Sequence, residues 1–536
     1  MSIKLVLPQP GGAAPAFATP KACEEWLEAL PLTNASSAQG QLRVQVDAVT
    51  RAGLALPLLF ELLEKMRESV AFVQSEVAKK FTQRPLPMAD FELAAWNSAT
   101  GFWRAYGLGY QICVQALIDG DSSLKGVAAT ACHRALDAQM RVMFDHVRAN
   151  AQLPGSEWAL LHTLFRAAED LGVLADKVKD PIQKDTSATT CTAAYTQALL
   201  TSVGSSGEWS GRQMQMIMRW LERWAAKISA APSPPAAPVK PPLMVDLASL
   251  RGGYRNDAGG PEVRYLDISE IALSLKNRVI LLRKGETPAH LGLGEDCVMP
   301  ACEQLLINLY QHWCDGRVNR DHLRRAGSGN AVLAGGLPAA HYYVSGKPFK
   351  QPGGGPKELT SKQRAEIATF GRVATRDDDD YSHIHGFAME QWELRDESIS
   401  GMRVVRPREV NGARVSAGQL YAARLPESKG FMLAAVRWVQ MLETGEVMAG
   451  LRTLPGTPQP ISVRNTGLNA ANDKFVQAFM LPAVESLKAP DAVILPPGLY
   501  KAGRVLEVYA ERPWQIKLAD IIERGSDFER CTYGGV

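Results

Sequence analysis

Six prolines fall between Ala231 and Pro242, in the run Ala-Pro-Ser-Pro-Pro-Ala-Ala-Pro-Val-Lys-Pro-Pro. A proline has no amide hydrogen to donate, and its ring clashes with the preceding helical turn. The run therefore forbids continuous helix and favours an extended, semi-rigid spacer. It also separates two textures. On its N-terminal side, residues 1–230 read as helical throughout. Leu59, Leu62, Leu63, Met66, Val70 and Val73 recur at three and four residues, the apolar stripe of an amphipathic helix. Ser156 precedes a second helix carrying Trp158, Leu161, Phe165 and Ala168, and Met214, Ile217, Leu221 and Trp224 mark a third.

Beyond the prolines, Asp267 and Glu270 are placed to cap a helix whose apolar face is Ile268, Ile271, Leu275, Val279 and Leu282, with Gly285 to end it. A further helix runs from Pro300 to Trp313. The pattern then turns to strands. Candidates are 331–333, 341–344, 392–394, 402–405, 419–424, 431–440 and 447–451, separated by turns such as Asn411-Gly412 and Thr444-Gly445. Close antiparallel strands of this kind point to a small barrel. The last segment mixes a helix around Phe475 to Leu487 with strands near Val493 and Val505 to Tyr509.

The fold class expected is multidomain α + β. Residues 1–230 form an all-α region, 231–243 a proline-rich linker and 244–316 a helical lead-in. Residues 317–460 form an antiparallel β-barrel with a long insertion, and 461–536 a C-terminal α/β extension.

A net charge of +3 over 536 residues excludes a large nucleic-acid footprint but suits a local anion site. No apolar run approaches the roughly 20 residues that span a bilayer. The N-terminus lacks the apolar core of a signal peptide, and the expected location is cytoplasmic. The eight cysteines form no C-x-x-C pair and read as reduced, buried thiols. Cys297, Cys302, His312 and Cys314 crowd together, but Cys302, Leu305, Leu309 and Trp313 share a helix face, so a packing role is expected and no metal. No Ser/His/Asp arrangement assembles along the chain, and no catalytic residue is assigned.

Two short patterns carry the functional reading. Arg320 and Arg324 stand four apart in Arg-Asp-His-Leu-Arg, with Arg325 alongside, just ahead of the strand-like Asn330-Ala-Val-Leu333. A planar guanidinium grips a phosphate or a guanine edge and stacks on a base. Asp396, Ser398 and Gly401 lie in Trp392-Glu-Leu-Arg-Asp-Glu-Ser-Ile-Ser-Gly-Met-Arg-Val-Val405, between two strand-like runs. A carboxylate complements the donor face of guanine, and a glycine lets backbone approach a ligand closely.

In order and context these patterns resemble the two signatures of the PilZ family, which binds cyclic di-GMP. The resemblance covers roughly residues 317–455, and Ala435–Val439 followed by Val447–Leu451 looks like the family's closing hairpin. The helical first half and Leu30-Pro-Leu-Thr-Asn34 resemble a longer proteobacterial type with an N-terminal helical region. The separation from Arg324 to Asp396 exceeds that of a minimal PilZ domain. It holds Gly353-Gly-Gly-Pro-Lys357, a capped helix at Thr360 to Phe370 and the acidic run Asp377 to Asp380.

The resemblance implies a cyclic di-GMP-binding effector rather than an enzyme. Arg320, Arg324 and, to a lesser degree, Arg325 would meet phosphates and guanine faces. Asp396 would accept from guanine nitrogens, Ser398 would add a hydrogen bond and Gly401 would permit close approach. Cyclic di-GMP is the expected ligand, with no cofactor, no nucleic-acid polymer and no membrane span. An unidentified protein partner is expected at the N-terminal helical region. The alternative is a degenerate PilZ-like adaptor acting only through protein–protein contacts.

Overall fold

The computed structural model describes residues 3–183, 186–203, 206–236, 241–256, 259–315, 323–352, 378–410, 412–466 and 473–536. The architecture is multidomain α + β, with a helical N-terminal region followed by closed antiparallel barrels. The chain divides into two compact units, Met1–Arg84 with Met88–Asn319, and Pro85–Pro87 with Arg320–Val536.

The first unit is built on α1 (Pro20–Glu28), α2 (Ala35–Arg51), α3 (Leu56–Ala78), α4 (Asp90–Ile118), α5 (Ala128–Arg148), α6 (Gly155–Asp170), α7 (Cys191–Val203) and α8 (Gly211–Trp224). The stripe foreseen on α3 is fully buried, from Leu59 to Val73. Each such side chain contributes about 1.5–3 kcal/mol of burial. Small residues let α4 approach its neighbours. A Cβ at Gly109 would lie 2.7 Å from Leu63 Cδ1, and one at Gly107 would lie 3.0 Å from Ala138 Cβ.

Between α6 and α7 the chain has little regular structure, yet Asp180 is buried there. Charge holds it. Arg67 of α3 donates to Asp180 through Nε (2.8 Å) and Nη2 (2.6 Å), and through Nη2 to Asp137 of α5 (2.8 Å). Arg134 of α5 donates to Glu64 at 3.0 Å and to the Lys179 carbonyl at 2.9 Å. Burial alone would raise the Asp137 carboxyl, but Arg141, Arg67 and His133 together hold it well below the usual carboxylate range. Burial pushes the neighbouring His133 down to about 4.

The proline run does not divide two units. Strand β1 (Ser229–Ala231) on its near side pairs antiparallel with β4 (Val263–Asp267) on its far side, in a sheet that also holds β2 (Leu243–Asp246) and β3 (Tyr254–Arg255). Leu243, Val245, Leu266, Ile271 and Trp313 share one core with the helices before them. The segment 231–243 therefore connects parts of one unit, and the 244–316 lead-in belongs to that unit. Helix α9 (Ser269–Arg283) starts where Asp267 Oδ1 accepts from Ser269 N (3.0 Å), and Gly285 follows with φ +95°. Helix α10 (Ala301–Tyr310) continues as a π-turn to Asp315. Cys297 and Cys302 are joined in a buried disulfide, which corrects the expectation of unpaired thiols. The turn before α10 brings two residues five apart to a Cα separation of 5.2 Å, within bridging range.

In the second unit, β6 (Asn330–Gly335), β7 (Glu390–Ser398), β8 (Gly401–Arg406), β9 (Leu420–Arg424), β10 (Met432–Met441) and β11 (Val447–Thr453) pair in the order β7-β6-β9-β10-β11-β8. The barrel closes because β8 pairs back to β7. The two-residue β5 (Arg325–Ala326) extends the edge of β7 that β6 occupies. The strand expected at 341–344 is instead part of α11 (Leu337–Ser345). Gly336 turns the chain at φ +88°, Pro338 sits in the first turn, and Leu337, Ala340 and His341 recur at helical spacing on its buried face.

Residues 461–536 are not α/β. They belong to a second closed barrel of β12 (Gln459–Asn465), β13 (Val476–Leu481), β14 (Ala492–Leu495), β15 (Val505–Tyr509), β16 (Pro513–Arg524) and β17 (Glu529–Gly535). The helix expected around Phe475 to Leu487 is β13 and a short 3-10 turn. Both faces of β13 are buried. Ala478 faces the second barrel's own core, while Phe479 and Leu481 join a layer with Leu420, Leu433 and Ala435 of the first. Two-sided burial erases strand alternation and leaves an apolar run that imitates a helix.

Arg67→Ala should remove the cation shared by Asp137 and Asp180, leaving only Arg141 on the first and Arg134 near the second, and cost about 3–5 kcal/mol, read from the denaturation midpoint by far-UV circular dichroism. His133 titrates at a lower pH folded than unfolded, so the unfolded chain binds its proton first. Stability should therefore fall as pH drops from about 6.5 to about 4, by about 3 kcal/mol from this group. His133→Gln should flatten that slope; an unchanged slope would show that other groups set it.

Candidate ligand site on the first barrel

The β7–β8 hairpin builds the site. Ser398 pairs with Gly401 across the two-residue turn Ile399-Ser400, Glu397 with Met402, and Asp396 with Arg403. Cross-strand partners share a face and alternate residues return to it. Asp396, Ser398, Gly401 and Arg403 therefore lie on one face of the hairpin. A bulge between Leu394 and Asp396 marks where this registration begins.

Asp396 is 14% exposed and holds two cations. Its Oδ1 accepts from Arg324 Nη1, although the two residues are 72 apart in the chain. Its Oδ2 lies 2.6 Å from Arg403 Nη2. Arg324 reaches it because β5, which follows directly, pairs Ala326 with Asp396. The Ser398 hydroxyl donates to the Gly401 carbonyl at 3.2 Å and lies 3.3 Å from Ser400 Oγ. Gly401 has a packing reason of its own, since a Cβ there would stand 2.3 Å from the Leu451 carbonyl oxygen.

The structure thus joins Arg324, Asp396, Ser398 and Gly401. It sets Arg325 apart: that residue is opposite Glu397, one position out of phase with Asp396. Arg320 lies outside the described residues, as do the Gly353 to Lys357 stretch and the helix expected at Thr360 to Phe370. Sequence reasoning missed Arg403. Counting outward from the Ser398–Gly401 pair gives Asp396 opposite Arg403, so hairpin register alone carries that signal. Two exposed apolar side chains, Leu323 and Ile399, occupy the same two segments. The constellation offers guanidinium donors for an anion, a carboxylate for paired N–H donors and apolar surface for a flat ring.

Among the described residues no helix is long and apolar enough to cross a membrane.

Residues 21–234 match the family described as "Cyclic-di-GMP receptor FimW, N-terminal domain", and residues 461–535 match "FimW C-terminal beta-barrel domain". The second match coincides with the second barrel. The "Cyclic-di-GMP receptor FimW" of Pseudomonas aeruginosa (strain ATCC 15692 / PAO1) is 21% identical over 554 aligned positions, covering 95% of this chain and 89% of that protein. The chain is therefore similar to a cyclic di-GMP receptor along nearly its whole length.

Gly401→Ala should push β8 from β11 and lower the stability of the first barrel by about 1–3 kcal/mol. Thermal unfolding measures this, and an unchanged melting temperature would mean that the close approach to Leu451 relaxes freely.

Proposed function

We propose that this protein is a cyclic di-GMP-binding effector whose first barrel is PilZ-like and binds the dinucleotide at the Asp396 hairpin. The observation that carries the reading is the meeting of Arg324 with Asp396 across 72 residues, beside Ser398 and Gly401. The likeness to a cyclic di-GMP receptor over 95% of the chain supports it independently. Arg324 binds a ligand phosphate, and Arg320 joins it by the four-residue spacing. Asp396 accepts from the guanine ring and amino nitrogens, and the apolar side chains of Leu323 and Ile399 cover a base face. Binding needs no covalent chemistry. The signal is a change of conformation, passed to a protein partner through the helical unit, and the setting is cytoplasmic.

Calorimetric titration of the full chain with cyclic di-GMP tests this. Arg324→Ala should remove a charge-assisted contact worth roughly 1.5–3 kcal/mol, a loss of about 10- to 150-fold in affinity. Arg320→Ala should behave alike, Arg325→Ala should matter less, and Asp396→Ala should weaken binding without unfolding the barrel. Wild-type affinity in both the Arg324 and the Asp396 variants would place the ligand elsewhere.

A further inference from the structure

The two arginines on Asp396 are held in different ways. Arg403 stands within a strand paired on both sides, opposite Asp396 on β7 and Gly450 on β11. Its neighbours Met402 and Val404 are buried, and its Nε is shut from solvent without a hydrogen-bond partner. Arg324 precedes β5, so no strand pairing fixes its backbone, and its neighbour Leu323 is 95% exposed. Arg324 can leave the carboxylate by moving backbone and side chain together, whereas the sheet holds the Arg403 backbone and leaves it only side-chain motion, the side chain being 43% exposed.

Resting on the dinucleotide site proposed above, we propose that Arg403 is a positioning residue that fixes Asp396 while Arg324 changes partner. Without ligand the site is closed on itself, one carboxylate oxygen on each arginine. On binding, the ligand phosphate replaces Asp396 Oδ1 as the acceptor of Arg324. The freed oxygen accepts from guanine N–H groups while Oδ2 stays on Arg403. A carboxylate released by Arg324 and lacking Arg403 would be free to rotate off the guanine edge, and an oriented acceptor is what base recognition requires. Arg403 thus acts on the ligand through Asp396, with no ligand contact of its own.

A double-mutant cycle with cyclic di-GMP, read by calorimetry on the full chain, tests this. Arg403→Gln should weaken binding about tenfold, and Arg403→Lys, which keeps the charge without the fork, should recover part of the loss. In an Asp396→Asn background, Arg403→Gln should cost less than about twofold, because the group it positions is gone. Equal losses in both backgrounds would make Arg403 a direct ligand contact or a general stabiliser and overturn the inference, as would wild-type affinity in Arg403→Gln. If Arg403→Gln folds poorly, Arg403→Lys supplies the same comparison between backgrounds. No binding by the wild-type chain would overturn the reading of the site, and this inference with it. Normal binding with additive losses would overturn this inference alone.

Discussion

Strand β7 pairs on both edges, with β6 and β5 along one and β8 along the other, and the rest of the second unit follows from that constraint. The β7–β8 pairing turns an open sheet into a barrel, and closure removes exposed strand edges. The same pairing brings Arg403 opposite Asp396, while the β5 pairing delivers Arg324 to it. Arg324, 72 residues from Asp396, joins the hairpin pair Asp396 and Arg403 in one charged cluster because a single strand is satisfied on both sides. Without that closure the arginine and the carboxylate would be two unrelated surface charges, worth little at separations beyond a Debye length.

The hairpin is also continuous with what lies beyond it. Thr453 N donates to the Ser400 carbonyl at 3.0 Å, fastening the turn to the end of β11. Arg452, the cross-strand partner of Gly401, forms an ion pair with Glu523 of β16 in the second barrel. Behind this contact the barrels share a buried layer that includes Leu433, Leu454, Phe479, Ile494 and Phe528. A packed interface of this kind transmits displacement rather than absorbing it, because protein interiors are dense and poorly compressible.

Much of this was legible in the sequence wherever one face of an element is buried and the other is wet. The α3 stripe and most strands of the first barrel declare themselves by period. Legibility fails where burial is two-sided, as at β13, whose apolar run reads as helix. It fails again at α11, where a glycine at positive φ and a proline start a helix across a short apolar stretch. The proline run says nothing about what its flanks pair with, and β1 with β4 crosses it. At the site, motif spacing found Arg324, Asp396, Ser398 and Gly401. Arg403 escaped because a motif lists residues in chain order, whereas the register between two strands decides what faces the carboxylate. The Cys297–Cys302 bond escaped for a like reason, since spacing does not specify the turn that brings five residues back on themselves.

A structure of the full chain with cyclic di-GMP bound tests the central claim most directly. The account predicts the dinucleotide at the β7–β8 hairpin, with the Arg324 guanidinium on a phosphate. One Asp396 oxygen should sit on a guanine edge and the other still on Arg403. Ligand bound at another surface, with the Arg324–Asp396 pair intact, would contradict it.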